Sequence, residues 1–205
     1  MDLAFLVQVI SIVSGISGLV TGSISLAITL REKRRNVKVA LKWGIDATYE
    51  KTSGIVLWIY AEVAGYQPVV LQNAGLHVKG VRGSLLATKP LHQNHFPLKL
   101  ESGDHFQTSI SSEVLIDAFR ALPTKGTITA RGYVGTVFGE FQSAKITPDL
   151  KKLEDLIALV QNNANYTKYK SFQQTIGMLN MNSFTELEEY LHNIVQNGFE
   201  IKNVL

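Results

Sequence analysis

The sequence predicts an α+β protein with three parts: an N-terminal transmembrane helix, an antiparallel β-sandwich carrying one inserted helix, and a C-terminal segment of two or three helices. Three observations predict it. Residues 3–30 contain no charged side chain. From residue 36 the apolar pattern has a period of two, in short runs broken by Gly, Pro and Asn. Beyond residue 147 the period becomes helical again. The expected divisions are 1–35 for the span and its basic flank, 36–147 for the sandwich and 148–205 for the helices.

The uncharged run is 28 residues long, and a helix of that length covers about 42 Å. A hydrocarbon core is roughly 30 Å thick, so the run is long enough to cross with tilt. A cleavable signal peptide fits badly, because Met1-Asp2 supplies no positive side chain and the positive cluster follows the apolar run. Arg31, Lys33, Arg34, Arg35, Lys38 and Lys42 form that cluster. Basic residues beside a span stay on the cytoplasmic side. They predict an outside N-terminus and a cytoplasmic body at a bacterial inner membrane, with membrane lipid headgroups as one partner.

The charge distribution supports this. The formal net charge is +3 and the pI is near 9.0, values that suggest nucleic acid until they are resolved by position. Residues 31–42 hold six basic residues and one acidic, whereas residues 43–205 hold 14 basic and 15 acidic. A slightly acidic body argues against a nucleic-acid partner.

Within the run, Ser11, Gly15, Gly18, Gly22 and Ser25 recur at spacings of three and four. Small side chains on one stripe let two helix backbones approach closely. They predict a homo-oligomer through this face.

The first two strands are the clearest. Val37, Val39, Leu41 and Trp43 alternate with Lys38, Ala40 and Lys42, which marks a half-buried strand. Residues 54–63 are apolar on both faces, as a central strand requires. Short strands follow at Pro68–Leu71, Gly75–Val81, Phe96–Leu100 and Asp104–Ile110. A hairpin is expected with strands Thr127–Val134 and Val137–Ile146 about Gly135-Thr136. One helix, Glu113–Leu122, is capped by Ser111 or Ser112 and stopped by Pro123.

In the C-terminal part, Thr147-Pro148-Asp149 reads as a helix start, with Thr147 as the cap and Pro at the first helical position. A second helix is expected over Tyr166–Leu179. The last helix carries a capping box, Ser183 with Glu186. Its stripe includes Leu187, Leu191, Ile194 and Val195, an apolar face that must pack on the body or on a partner. It is the expected docking face for a cytoplasmic protein.

Candidate chemistry is sparse. His92, His95 and His105 with Asp104 have a metal-like composition but lack a zinc-site pattern. The chain has no cysteine, no G-x-S-x-G elbow and no phosphate-binding glycine loop. Neither an enzymatic activity nor a cofactor or metal site is expected.

Some stretches resemble a family. Val63-Ala64-Gly65-Tyr66-Gln67-Pro68-Val69-Val70-Leu71 with Ala74-Gly75-Leu76, the turn Leu100-Glu101-Ser102-Gly103-Asp104, and Gly139-Glu140-Phe141-Gln142-Ser143 are similar to segments of uncharacterised bacterial single-pass membrane proteins with a cytoplasmic immunoglobulin-like β-sandwich. The resemblance covers roughly residues 1–150. It departs at Ala64, where such proteins more often have Asn, and at Ser102, where Pro is usual. It implies an immunoglobulin-like sandwich beneath one membrane helix and carries no catalytic residues.

The expected function is therefore a non-enzymatic membrane-anchored scaffold or adaptor that presents its sandwich and C-terminal helices to a partner. The alternative is an oligomerising membrane-active effector, pore-forming or membrane-disrupting, for example in bacterial anti-phage defence.

Overall fold

The computed structural model describes residues 36–47, 53–79, 83–86, 89–90, 96–122, 128–176 and 179–197, together with Ser23 and Ser25, which are helical and exposed. The rest of the expected membrane run, including Ser11, Gly15, Gly18 and Gly22, lies outside the described residues, as do Arg31, Lys33, Arg34 and Arg35. Among the described residues no helix is long and apolar enough to cross a membrane.

The strands are β1 (Val37–Ile45), β2 (Ile55–Val63), β3 (Val69–Val78), β4 (Ser84–Leu86), β5 (Lys89–Pro90), β6 (Leu98–Leu100), β7 (His105–Ser111), β8 (Ala130–Thr136), β9 (Gly139–Ile146) and β10 (Leu179–Met181). The helices are α1 (Ser112–Arg120), α2 (Leu150–Val160), α3 (Ala164–Ile176) and α4 (Phe184–Asn197). The fold is α+β, with two antiparallel sheets. One runs β10-β1-β2-β7-β5, the other β4-β3-β8-β9 with β6 also on β3.

The period-two pattern of β1 and β2 explains the first sheet. Val37 opposite Val63 through Ile45 opposite Ile55 is an unbroken register, and β2 continues it with β7 from Val56–Ser111 to Glu62–His105. Alternation sends Leu57, Ile59 and Ala61 inward, where they meet Leu71, Ala74, Leu76 and Val134 of the second sheet in one core. The sheets touch closely: a Cβ on Gly132 of β8 would come within 2.6 Å of the Leu41 side chain of β1.

Three expectations shift. The strands expected at Pro68–Leu71 and Gly75–Val81 merge into one, β3 (Val69–Val78), because Gln72-Asn73 is absorbed as a register irregularity between Leu71 and Asn73 rather than as a turn; Val81 lies outside the described residues. The hairpin turns at Val137-Phe138, two residues beyond Gly135-Thr136. Gly135 pairs in register with Glu140, and the residue that needs the left-handed region is Gly139, at φ 129. Thr136 closes the turn, its Oγ1 donating to the Gly139 carbonyl at 2.8 Å and accepting from the Phe138 N–H at 3.1 Å. The cap of α2 is Asp149 and not Thr147, its carboxylate accepting from the Lys152 N–H at 3.2 Å. A carboxylate there also complements the helix dipole.

The expected caps of the helices α1 and α4 hold. Ser111 caps α1 by accepting from the Val114 N–H. Ser183 accepts from Glu186 N–H at 3.1 Å, and Glu186 reaches back to the Asn182 N–H at 3.0 Å. The segment expected as helix to Leu179 instead ends at Ile176. Leu179–Met181 becomes β10, pairing with Trp43–Ile45 of β1.

The boundary expected at 147/148 falls between β9 and α2, and the helices beyond it share the core of the sheets. Leu153, Leu156, Val160, Tyr166, Tyr169, Leu187, Leu191 and Ile194 belong to that cluster.

Candidate functional site: the cleft between the sheets

Where β1 and the end of β9 lie beside the starts of α2 and α4, a cleft of about 370 Å³ opens. Its floor is apolar: Leu41 and Trp43 from β1 and Leu57 from β2, all on the inward side of the first sheet. Phe184 closes one wall, its ring meeting Trp43 edge to face at 5.2 Å and 73°. Lys145, Asp149 and Lys152 stand exposed around the mouth. The arrangement is a greasy slot with a net positive rim. Such a site accepts an apolar side chain whose neighbours carry acidic or hydrogen-bonding groups. Of the rim residues only Asp149 sits in a sequence motif, the start of α2, and no motif marks the cleft itself; four segments distant along the chain build it.

A second concavity of about 490 Å³ lies on the outer side of the first sheet, over Lys38, Lys42, Tyr60, Glu62 and His105. Lys42 Nζ sits 5.1 Å from the centre of the Tyr60 ring. Lys38 and Glu62 face each other in register, with His105 opposite Glu62 on the other side. Two residues expected to set topology, Lys38 and Lys42, are thus part of a mixed-charge surface on the body itself.

The stripe expected to receive a partner is occupied. Leu187 and Leu191 are fully buried, Ile194 is buried and Val195 half-buried against the core of the same chain. A covered face cannot also dock a protein. The physical reason is that α4 starts directly after β10, which is pinned to β1, so its apolar side falls on the body.

Sequence reasoning missed a buried polar clasp. Ser53, just before β2, donates from N and Oγ to Glu113 Oε1 at 2.8 and 2.7 Å. Its Oγ lies 3.3 Å from Ser112 Oγ, and Tyr166 donates its hydroxyl to the Ser53 carbonyl. Hydroxyl, carboxylate and backbone groups satisfy one another here, tying β2, α1 and α3 together. The available signal was an acidic residue in the first turn of α1.

Burial raises the pKa of the Tyr166 hydroxyl, and the negative Glu113 raises it further. Burial likewise raises Tyr169, with the hydrogen bond and charge of Tyr190 adding to it. A phenol raised in the folded state contributes stability that is intact below its unfolded pKa and lost as pH climbs above it. Stability is therefore expected to fall as pH rises past about 10. In an alkaline titration the phenolate absorbance of these two tyrosines should appear only together with loss of the circular-dichroism signal. Phenolate signal from all seven tyrosines before unfolding would contradict the burial.

On the second sheet, His77 and Glu140 pair at 2.7 Å on the surface. Partial burial pushes Glu140 up, but hydrogen bonds from Gln142 and His77 and the His77 charge together hold it below its ordinary value. His77 also stacks on Tyr133, ring centres 4.2 Å apart.

The described residues contain no group of three His, Asp or Glu side chains placed to hold a metal ion. His92 and His95 lie outside them, and His105 and Asp104 are exposed. The Asp104 carboxylate accepts from the Glu101 N–H at 2.8 Å, the work of a turn residue. No protein-family model matches the chain, and comparison with curated proteins finds no match.

Proposed function

We propose that this chain is a membrane-anchored, non-enzymatic adaptor. Residues 3–30 hold it at the inner face of a bacterial membrane with the N-terminus outside, and the folded body presents a binding cleft to a cytoplasmic protein. We infer that the body is a sandwich of immunoglobulin type. What supports this is the strand order: β5-β7-β2-β1 facing β4-β3-β8-β9 follows the D-E-B-A and C′-C-F-G arrangement of that fold.

The observation that carries the adaptor reading is the cleft floored by Leu41, Trp43 and Leu57 and rimmed by Lys145, Asp149 and Lys152. It is a concave, apolar, positively rimmed feature of the body, left open while the α4 stripe is spent on the core. A partner segment would insert an apolar anchor there, with acidic neighbours on the lysines. Tethering both proteins to one membrane surface raises their effective concentration, so a modest cleft suffices.

The test is photo-crosslinking in membranes from expressing cells, with a photoreactive amino acid at Lys152 and, as control, at the exposed Lys79 just past β3. A discrete protein adduct from position 152, absent from position 79 and lost on Lys145→Glu, is expected. Adducts that are the same at both positions, or that survive Lys145→Glu unchanged, would overturn the cleft as the docking site.

A further inference from the structure

Large apolar side chains are rarely exposed on this body. Among the described residues four are: Tyr66 at 65% exposure, Val137 at 54%, Phe138 at 57% and Val114 at 49%. Three of the four lie at one end. Asn36, where the chain enters β1, accepts through its carbonyl from the Ala64 and Gly65 N–H groups at 2.9 and 3.1 Å, fixing the 64–68 loop beside the chain entry. Gly103 N–H donates to the Val63 carbonyl at 2.9 Å, and Val63 N–H to the Asp104 carbonyl at 3.0 Å, adding the β6–β7 turn. The register Leu71 opposite Thr136 brings the Val137-Phe138 tip to the same end, beside the start of β3. Val114 belongs to the other end: it follows Ser111, which pairs with Val56 near the start of β2.

This end is also where the chain continues into residues 31–35 and the uncharged run. Six residues separate Leu30 from Val37, so the two are at most about 25 Å apart even fully extended. We infer that Tyr66, Val137 and Phe138 are a second membrane contact, inserting into the headgroup and upper acyl region of the bilayer that holds the span. This inference rests on the anchor reading above.

The chemistry suits an interface more than a protein surface. Tyr and Phe with an aliphatic neighbour, on two loop tips, match the amphipathic belt at membrane–water boundaries. The charges around them, a Lys99–Glu101 pair at 2.6 Å, with Asp104, Glu62 and Lys38, nearly balance. Headgroup attraction is left to Arg31, Lys33, Arg34 and Arg35. A body seated at this end turns the α1 end toward the cytoplasm.

The chain has no cysteine, so single-cysteine labelling is clean. The full chain carrying Phe138→Cys, Tyr66→Cys or, as control, Lys79→Cys is labelled with a polarity-sensitive fluorophore. It is then reconstituted in vesicles of phosphatidylcholine and phosphatidylglycerol that contain acyl-chain spin-labelled lipid. Several-fold stronger quenching at positions 138 and 66 than at 79 is expected. Val137→Asp combined with Phe138→Asp should abolish the quenching at position 66 while the vesicles still float with the protein. Floating protein whose label at 138 is quenched no more than at 79 overturns this inference and leaves the anchor intact. Protein that does not float overturns the anchor and the inference together. Shielding at 138 without lipid quenching, accompanied by energy transfer between labelled chains, assigns the patch to a second copy and overturns the membrane contact.

Discussion

Replacing Gly44 by valine is expected to destabilise the body by about 3 kcal/mol or more, a large overpacking penalty. Gly44 lies on the outer side of β1, opposite Val56. A Cβ there would stand 2.2 Å from the Leu179 carbonyl oxygen and 2.5 Å from Trp58 Nε1. The first neighbour is backbone, so it cannot rotate away; β10 would have to leave β1. The second belongs to a fully buried indole that has no room on a close-packed face. The measurement is urea unfolding of the detergent-solubilised chain, followed by circular dichroism. With an m-value of about 2 kcal/mol/M, the midpoint should fall by roughly 1.5 M. Ala40→Val, at an exposed position on the same side of β1, should change stability by no more than about 0.5 kcal/mol. Equal midpoints for wild type and Gly44→Val would mean that β10 does not pack as described.

The second large effect is expected at Leu191. It is fully buried in α4 beside Leu187, with Tyr190 on the same turn meeting Tyr169 edge to face at 5.7 Å. Leu191→Ala should cost about 3 kcal/mol through lost burial and the cavity left behind. That loss should be measurable with no partner present. Glu189→Ala, on the exposed side of the helix, should stay within about 0.5 kcal/mol. Together these separate the two roles an apolar stripe can have. A docking face would leave the isolated chain's stability untouched on Leu191→Ala and lose only binding; a core face destabilises the chain by itself.

The legible parts of the fold are those whose pattern is local. β1 and β2 announce themselves because β1 alternates apolar and polar residues from Val37 to Trp43, while β2 is apolar on both faces along most of its nine positions. The capping box of α4 could be read from Ser183 and Glu186 because capping is chemistry within one turn. β10 could not, since three residues without pattern become a strand only by pairing with Trp43–Ile45. The hairpin slipped by two residues because Gly135 and Gly139 look alike in sequence, and only the second has a positive φ. The amphipathic stripe of α4 was visible, but periodicity says that a face is buried and not what buries it. The cleft was hidden for a related reason: Leu41, Leu57, Lys145 and Phe184 share no spacing, and their meeting depends on how the sheets and helices close. Phe138 falls inside the expected strand Val137–Ile146 and Tyr66 between two expected strands, and only the register puts both at the end where the chain enters.

The most direct test of a cytoplasmic body hung from an N-terminal span uses cysteine accessibility in intact bacterial cells. Lys151 is exposed on α2, and the chain contributes no other thiol. The Lys151→Cys protein is expected in the alkali-washed membrane fraction. A membrane-impermeant maleimide should label it only after the cells are permeabilised, whereas Asp2→Cys should be labelled in intact cells. Labelling of position 151 from outside intact cells, or recovery of the chain in the soluble fraction, would contradict the anchored cytoplasmic body.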